Sequence, residues 1–239
     1  MRRCNEEEEK DIVTLTGELP APAPVPLAEH YARVLKLGFS YIRLVFGDGH
    51  CQYYGFGGSF PAKYPGVRMS SRGARFRLSD DAVLTLRRGA QTVLKENSQW
   101  KLDGQTVRAW ERFVTSDCVR MAGTIAYGND FTLHALGRWL GVNVIVITEG
   151  VARVRAYGID VPEAGGRFFD FDQALDWVKR MERRKRCKKG KLGDTSSSGA
   201  PELVVLVHNG KQGLAAHYDF AMRAVPANHG DGGGVVLKH

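Results

Sequence analysis

Between Ser79 and Asn97 the apolar residues Val83, Leu86, Ala90, Val93 and Leu94 recur at helical spacing. Ser79 can cap this run, and Asp80 and Asp81 place negative charge in the first turn, where the helix dipole favours it. The spacing therefore predicts a helix here. FTLHALGRWL predicts another, with Leu133, Leu136 and Leu140 on one stripe, Asn129-Asp130 as the cap and Gly141 as the stop. VNVIVI follows at once. It is strand-length, rich in β-branched residues and without alternation, so it reads as a strand buried on both faces. ELVVLVH (202–208) reads the same way, and VARVRAYG reads as a neighbouring strand. Asn209-Gly210 predicts a turn, after which Ala216–Val225 returns as a strand. AEHYARVLKLG predicts a helix closed by Gly38, and Phe39–Phe46 a short strand or loop. Phe171–Arg183 predicts a helix with Ala174, Trp177 and Val178 inward. Gln105–Met121 predicts one more, with Trp110, Phe113 and Val114 on one face.

Helices mixed with buried strands indicate an α/β (α+β) fold. The predicted domain covers residues 28–225. Residues 1–27 read as a disordered acidic arm followed by LPAPAPVP, an extended Pro/Ala linker. Residues 226–239 read as a disordered Gly-rich tail, and 183–201 as a basic, Gly/Ser-rich loop insert. The charge is local. Arg183–Lys191, RRKRCKKGK, holds seven of the 34 basic residues, and the remaining 27 nearly balance 26 acids. Such a run is a solvated loop, a nuclear localisation signal or a nucleic-acid patch. No apolar run is long enough to span a bilayer, and MRRCNEEEEKD has no apolar signal-peptide core.

The four cysteines, Cys4, Cys51, Cys118 and Cys187, form no CxxC pair and no zinc signature with histidine. Cys4 and Cys187 lie in charged segments, and Cys118 reads as a small buried hydrophobe. This usage suits a reducing compartment, so the expected location is intracellular, cytoplasmic or nuclear. Cys51 differs because it follows Gly47-Asp48-Gly49-His50. That stretch reads either as a plain turn before a buried Cys or as a tight turn into a helix. In the second case Gly49 takes a positive φ and backbone N–H groups near Asp48–Cys51 face an oxyanion. A helix N-terminus or a histidine would favour the thiolate there.

A thiol nucleophile needs a base, and the base needs an orienting partner. His50 adjoins Cys51, but adjacent side chains diverge. His30 and His134 sit on predicted helices, His229 and His239 in the tail, and His208 at a strand end. His217 is followed two residues later by Asp219, which shares its face in a strand. A polar pair on a solvent face has the same pattern.

Taken together, GDGHCQYY (47–54), GNDFTLHALGRWLGVNVIVI (128–147) and ELVVLVH…AHYDF (202–220) resemble the OTU (ovarian tumour) family of papain-like cysteine deubiquitinases. The resemblance implies an OTU-like papain-like fold, a small central sheet flanked by helices. It also implies hydrolysis of the isopeptide bond after ubiquitin's C-terminal glycine, with ubiquitin or polyubiquitin as the partner and no metal or cofactor. The family's catalytic Cys falls on Cys51, its preceding Asp on Asp48, its general-base His on His217 and its orienting acid on Asp219. The chain departs from the pattern at His50, where Asn is usual, and at Gly55, Gly57 and Gly58, which predict a short helix ending near Gly57-Gly58. The alternative functions are a protease for another ubiquitin-like modifier, a ubiquitin-binding protein with weak or no catalysis, and a nucleic-acid-binding module using Arg183–Lys191.

Overall fold

Strands buried on both faces need helices on both faces, and the chain builds that arrangement. A computed structural model describes residues 29–67, 75–102, 105–106, 128–191, 203–209, 217–223 and 234–237. Within them the strands β1 (Tyr41–Arg43), β6 (Asn143–Thr148), β7 (Val154–Gly158), β8 (Arg167–Phe169), β9 (Leu203–Asn209), β10 (His217–Met222) and β11 (Gly234–Val236) form one sheet. Its order is β11-β1-β10-β9-β6-β7-β8. Only β6 and β9 run parallel; the other pairs are antiparallel. Two small ribbons, β2 (Gly66–Val67) with β3 (Arg77–Leu78) and β4 (Lys101–Leu102) with β5 (Gln105–Thr106), lie outside it.

Alternation along each strand sends residues to two cores. Val144, Val146, Val204, Leu206 and Phe220 join the helices α2 (Cys51–Gly58), α3 (Asp80–Glu96) and α4 (Asp130–Leu140). Ile145, Ile147, Val205, Val207 and Ala221 join α1 (Glu29–Lys36) and α5 (Phe171–Lys191) on the opposite face. The caps are those the sequence predicts. Ser79 accepts from the Ala82 N–H, Asn129 forms a capping box with Thr132, and Gly141 closes α4 in the left-handed conformation. No helix among the described residues is long and apolar enough to cross a membrane.

Four expectations change. Among the described residues the sheet has seven strands and is not small, because β8 and β11 extend both edges. The Gly-rich tail is not wholly disordered, since Gly234–Val236 pairs with β1 and the Leu237 N–H donates to the Ser40 carbonyl. The basic run is not a loop. Helix α5 continues through it to Lys191, in keeping with the high helix propensity of Lys and Arg. Gln105 and Thr106 pair with β4 instead of opening a helix. The rest of that predicted helix, residues 1–28, Cys118, the 210–216 turn, His229 and His239 lie outside the described residues.

Candidate active site

Cys51 is the first residue of α2 and is buried. The turn before it is held by Asp48. Its Oδ1 accepts from the His50 backbone N–H at 3.1 Å, a local turn typical of Asp, and its Oδ2 accepts from the Tyr54 hydroxyl at 2.7 Å. Arg77 Nε donates to the same hydroxyl at 3.2 Å and lies 3.9 Å from Asp48 Oδ2. Burial first, then the hydrogen bond to Asp48, pushes the Tyr54 pKa up, so the phenol stays a donor. Gly49 has φ +92°, a conformation that glycine adopts without strain.

His50 occupies the N-cap, yet its side chain makes no cap hydrogen bond. Its Nδ1 instead meets Arg87 Nη2 of α3 at 2.8 Å, and Arg87 lies over the Tyr53 ring. Because guanidinium only donates, Nδ1 must accept, which places the imidazole proton on Nε2. Burial, and then Arg87, lowers the His50 pKa. His50 is therefore a neutral ring committed to α3 and not the base for Cys51. The unsatisfied N–H groups of a helix's first turn have no intrahelical acceptor, and α2 has no acidic residue there to occupy them.

His217 opens β10. Its Nε2 lies 3.1 Å from Asp219 Oδ1, and it also hydrogen-bonds Cys51. With Nε2 on the carboxylate, Nδ1 is the nitrogen left for the thiol. Donating a hydrogen bond to the Asp219 carboxylate first, and then the hydrogen bond with Cys51, raises the His217 pKa to about 9 against the effect of burial. Gly47 leaves the imidazole edge uncovered, since a Cβ there would sit 3.6 Å from Nδ1.

Asp219 is buried and fully engaged. Besides His217 it accepts from the Val45 N–H at 2.8 Å and from Asn209 Nδ2 at 2.6 Å. Sequence reasoning missed Asn209. It reads as a turn residue, but it is the last residue of β9 and pairs directly with His217. Extending the antiparallel pairing back from Asp219↔Val207 is the signal that could have found it. Tyr54, Arg77 and Arg87 carry no such signal, because they reach the site only through packing.

The structure thus brings Cys51, His217 and Asp219 together and turns Asp48 to a different task. Asp48 shapes the loop through Tyr54 and Arg77, while the imidazole rests on Asp219. The candidate oxyanion donors also narrow, because the His50 N–H is already given to Asp48. A thiol, an imidazole and a buried carboxylate in series can form a nucleophile, move its proton and return that proton to a leaving group. No protein-family model matches the chain, and no curated protein matches it.

Proposed function

We propose that the chain is a thiol-dependent deubiquitinase of OTU-like, papain-like type that hydrolyses the isopeptide bond after ubiquitin's C-terminal glycine. The observation that carries this reading is Cys51 at the start of a helix, hydrogen-bonded to an imidazole that a buried carboxylate holds. The choice of ubiquitin rests on the resemblance of the three segments.

His217 takes the Cys51 proton, and the sulfur attacks the carbonyl carbon of the terminal glycine. Negative charge collects on the carbonyl oxygen, where N–H groups of the 48–51 turn other than that of His50, together with those of the first turn of α2, stabilise it. His217 gives its proton to the departing lysine amine, leaving a thioester on Cys51. Water then attacks that thioester with His217 as base, freeing the ubiquitin carboxylate and the thiol. Asp219 holds the ring throughout and favours its protonated form.

The test is a ubiquitin carrying a C-terminal propargylamide, which adds to an activated thiol as a vinyl thioether. Wild type should gain one ubiquitin on Cys51, whereas Cys51→Ala should gain none and lose isopeptide cleavage while keeping its thermal unfolding midpoint. Cys4→Ala and Cys187→Ala should react as wild type. A folded wild-type protein that forms no adduct and cleaves no diubiquitin would overturn the assignment. An adduct only with a related modifier would redirect its substrate.

A further inference from the structure

The apolar stripe of α5 ends before the helix does. Phe171, Ala174, Leu175, Val178 and Met181 pack into the core on the α1 face of the sheet. Glu182 then pairs with Arg223 at the end of β10, at 2.6 Å. Nine residues of helix follow to Lys191. None is a large hydrophobe, and seven are Lys or Arg. They account for +7 of the chain's net +8.

This composition opposes its own conformation. Arg184 and Lys188, and Lys185 and Lys189, are like-charged pairs at i,i+4, each costing roughly 0.2–0.5 kcal/mol in an isolated helix. The helix dipole rewards cations in the last turn only, which does not cover Arg183–Arg186. A polyanion wrapped around the segment would turn this repulsion into attraction.

We propose that Arg183–Lys191 is a sequence-independent binding element for the phosphate backbone of duplex DNA, with the end of α5 lying along the major groove. At about 100° per residue, the basic positions fall all round the helix axis. A helix lying on a membrane needs an apolar face, and this segment has none. The major groove of B-form DNA admits an α-helix and presents phosphates on both walls, so cations on opposite sides of one helix are all used. The major groove of duplex RNA is too narrow for this. A flat acidic protein surface would meet one side only. Helix α5 packs on the opposite sheet face from α2, so bound DNA would tether the protein without covering Cys51.

The test is fluorescence anisotropy of the full chain with a labelled random-sequence 20-base-pair duplex at several salt concentrations. Its comparison is a variant with all seven Lys and Arg of 183–191 changed to Gln, a similarly good helix former. If about five of the cations neutralise phosphates, log K falls against log salt with a slope near −4.5, roughly a 500-fold loss between 50 and 200 mM. The Gln variant should bind at least about 100-fold more weakly at 50 mM while unfolding at the wild-type temperature. Three results would each overturn the proposal: no binding at 50 mM salt, binding unchanged in a folded Gln variant, or tighter binding to phosphatidylserine vesicles or polyglutamate than to the duplex. None of these readouts depends on the thiol chemistry.

Discussion

Asp219→Asn removes one negative charge from the site and little else. The Asp219 carboxylate accepts from the Val45 N–H and His217 at Oδ1 and from Asn209 Nδ2 at Oδ2. An amide oxygen in the Oδ1 position keeps the first two bonds. The new amide nitrogen would face Asn209 Nδ2, and a flip of the Asn209 amide presents its oxygen instead. The ring therefore stays oriented, but it loses the largest cause holding its pKa at about 9. The thiol and burial oppose one another among the causes that remain, so the ordinary value near 6.5 is the reference. If turnover requires the protonated imidazole, the active fraction then falls about 1.3-fold at pH 6, about fourfold at pH 7 and about 30-fold at pH 8. The assay is kcat/KM on one fluorogenic ubiquitin substrate between pH 5.5 and 9.5, with the alkaline limb of the pair moving from near 9 toward 6.5. Asp219→Ala also frees the ring and strands Val45 and Asn209, so it should be slower still, and His217→Ala slowest. A pH-independent loss in Asp219→Asn would refute the electrostatic role, and an Asp219→Ala enzyme as fast as wild type would remove the orienting role altogether. The linkage has a fixed sign. A raised histidine pKa contributes stability that is fully present below about 6.5 and lost as pH rises through about 9.

Gly58→Ala should cost about 1–3 kcal/mol, because its Cβ would lie 2.6 Å from Phe220 Cε1 and 2.9 Å from Phe76 Cε1. Thermal unfolding should fall by several degrees, and an unchanged midpoint would show that the strand yields easily. Tyr54→Phe deletes the hydroxyl that binds Asp48 and should cost about 1–2 kcal/mol of stability, with a lower kcat at unchanged KM if the 47–50 turn loosens. Deleting Arg183–Lys191 should leave cleavage of a minimal ubiquitin substrate within about tenfold, about 1.4 kcal/mol of barrier, since the segment lies beyond the apolar stripe of α5. A larger loss with the fold intact would place that segment at the site.

What was legible in the sequence was what short-range chemistry controls. The caps at Ser79 and Asn129, the stop at Gly141 and the doubly buried β6 and β9 are each fixed by a few neighbouring residues. The His217-x-Asp219 pair was legible because a strand's period places both on one face. Residues that act across the fold were not. Arg87 lies 37 positions from His50 and Arg77 lies 23 from Tyr54, and nothing local distinguishes them from solvated surface arginines. The same blindness affects Asp48. It shares a turn with Cys51, and only the packing of Tyr54 and Arg77 shows that its carboxylate is taken up by those two side chains, whereas Asp219 holds the His217 ring. The end of α5 was misread for a different reason. Low complexity and like charge suggest a loop, but the segment inherits its helix from the anchored turns before it, so no new nucleation is needed.

The glycines of α2 show how a local cost can serve a distant geometry. CQYYGFGG has three glycines in eight residues, each costing roughly 1 kcal/mol against alanine in a helix interior. Every residue of α2 is buried, so this helix lacks the single apolar stripe of a surface helix and must fit against neighbours on several sides. At Gly55 a Cβ would lie 2.9 Å from Leu206 Cδ2 of β9, and at Gly57 3.2 Å from Leu86 Cδ1 of α3. With Gly58 against Phe220, the three glycines let the helix axis approach both the sheet and α3 more closely than side chains would allow. That approach sets how far the N-terminus of α2 stands from the start of β10. Cys51 is on the one and His217 is on the other. A bulkier α2 would be a better isolated helix, but it would lift the Cys51 thiol away from the His217 ring. The glycines that make α2 look irregular as a sequence are therefore part of what brings Cys51 to His217.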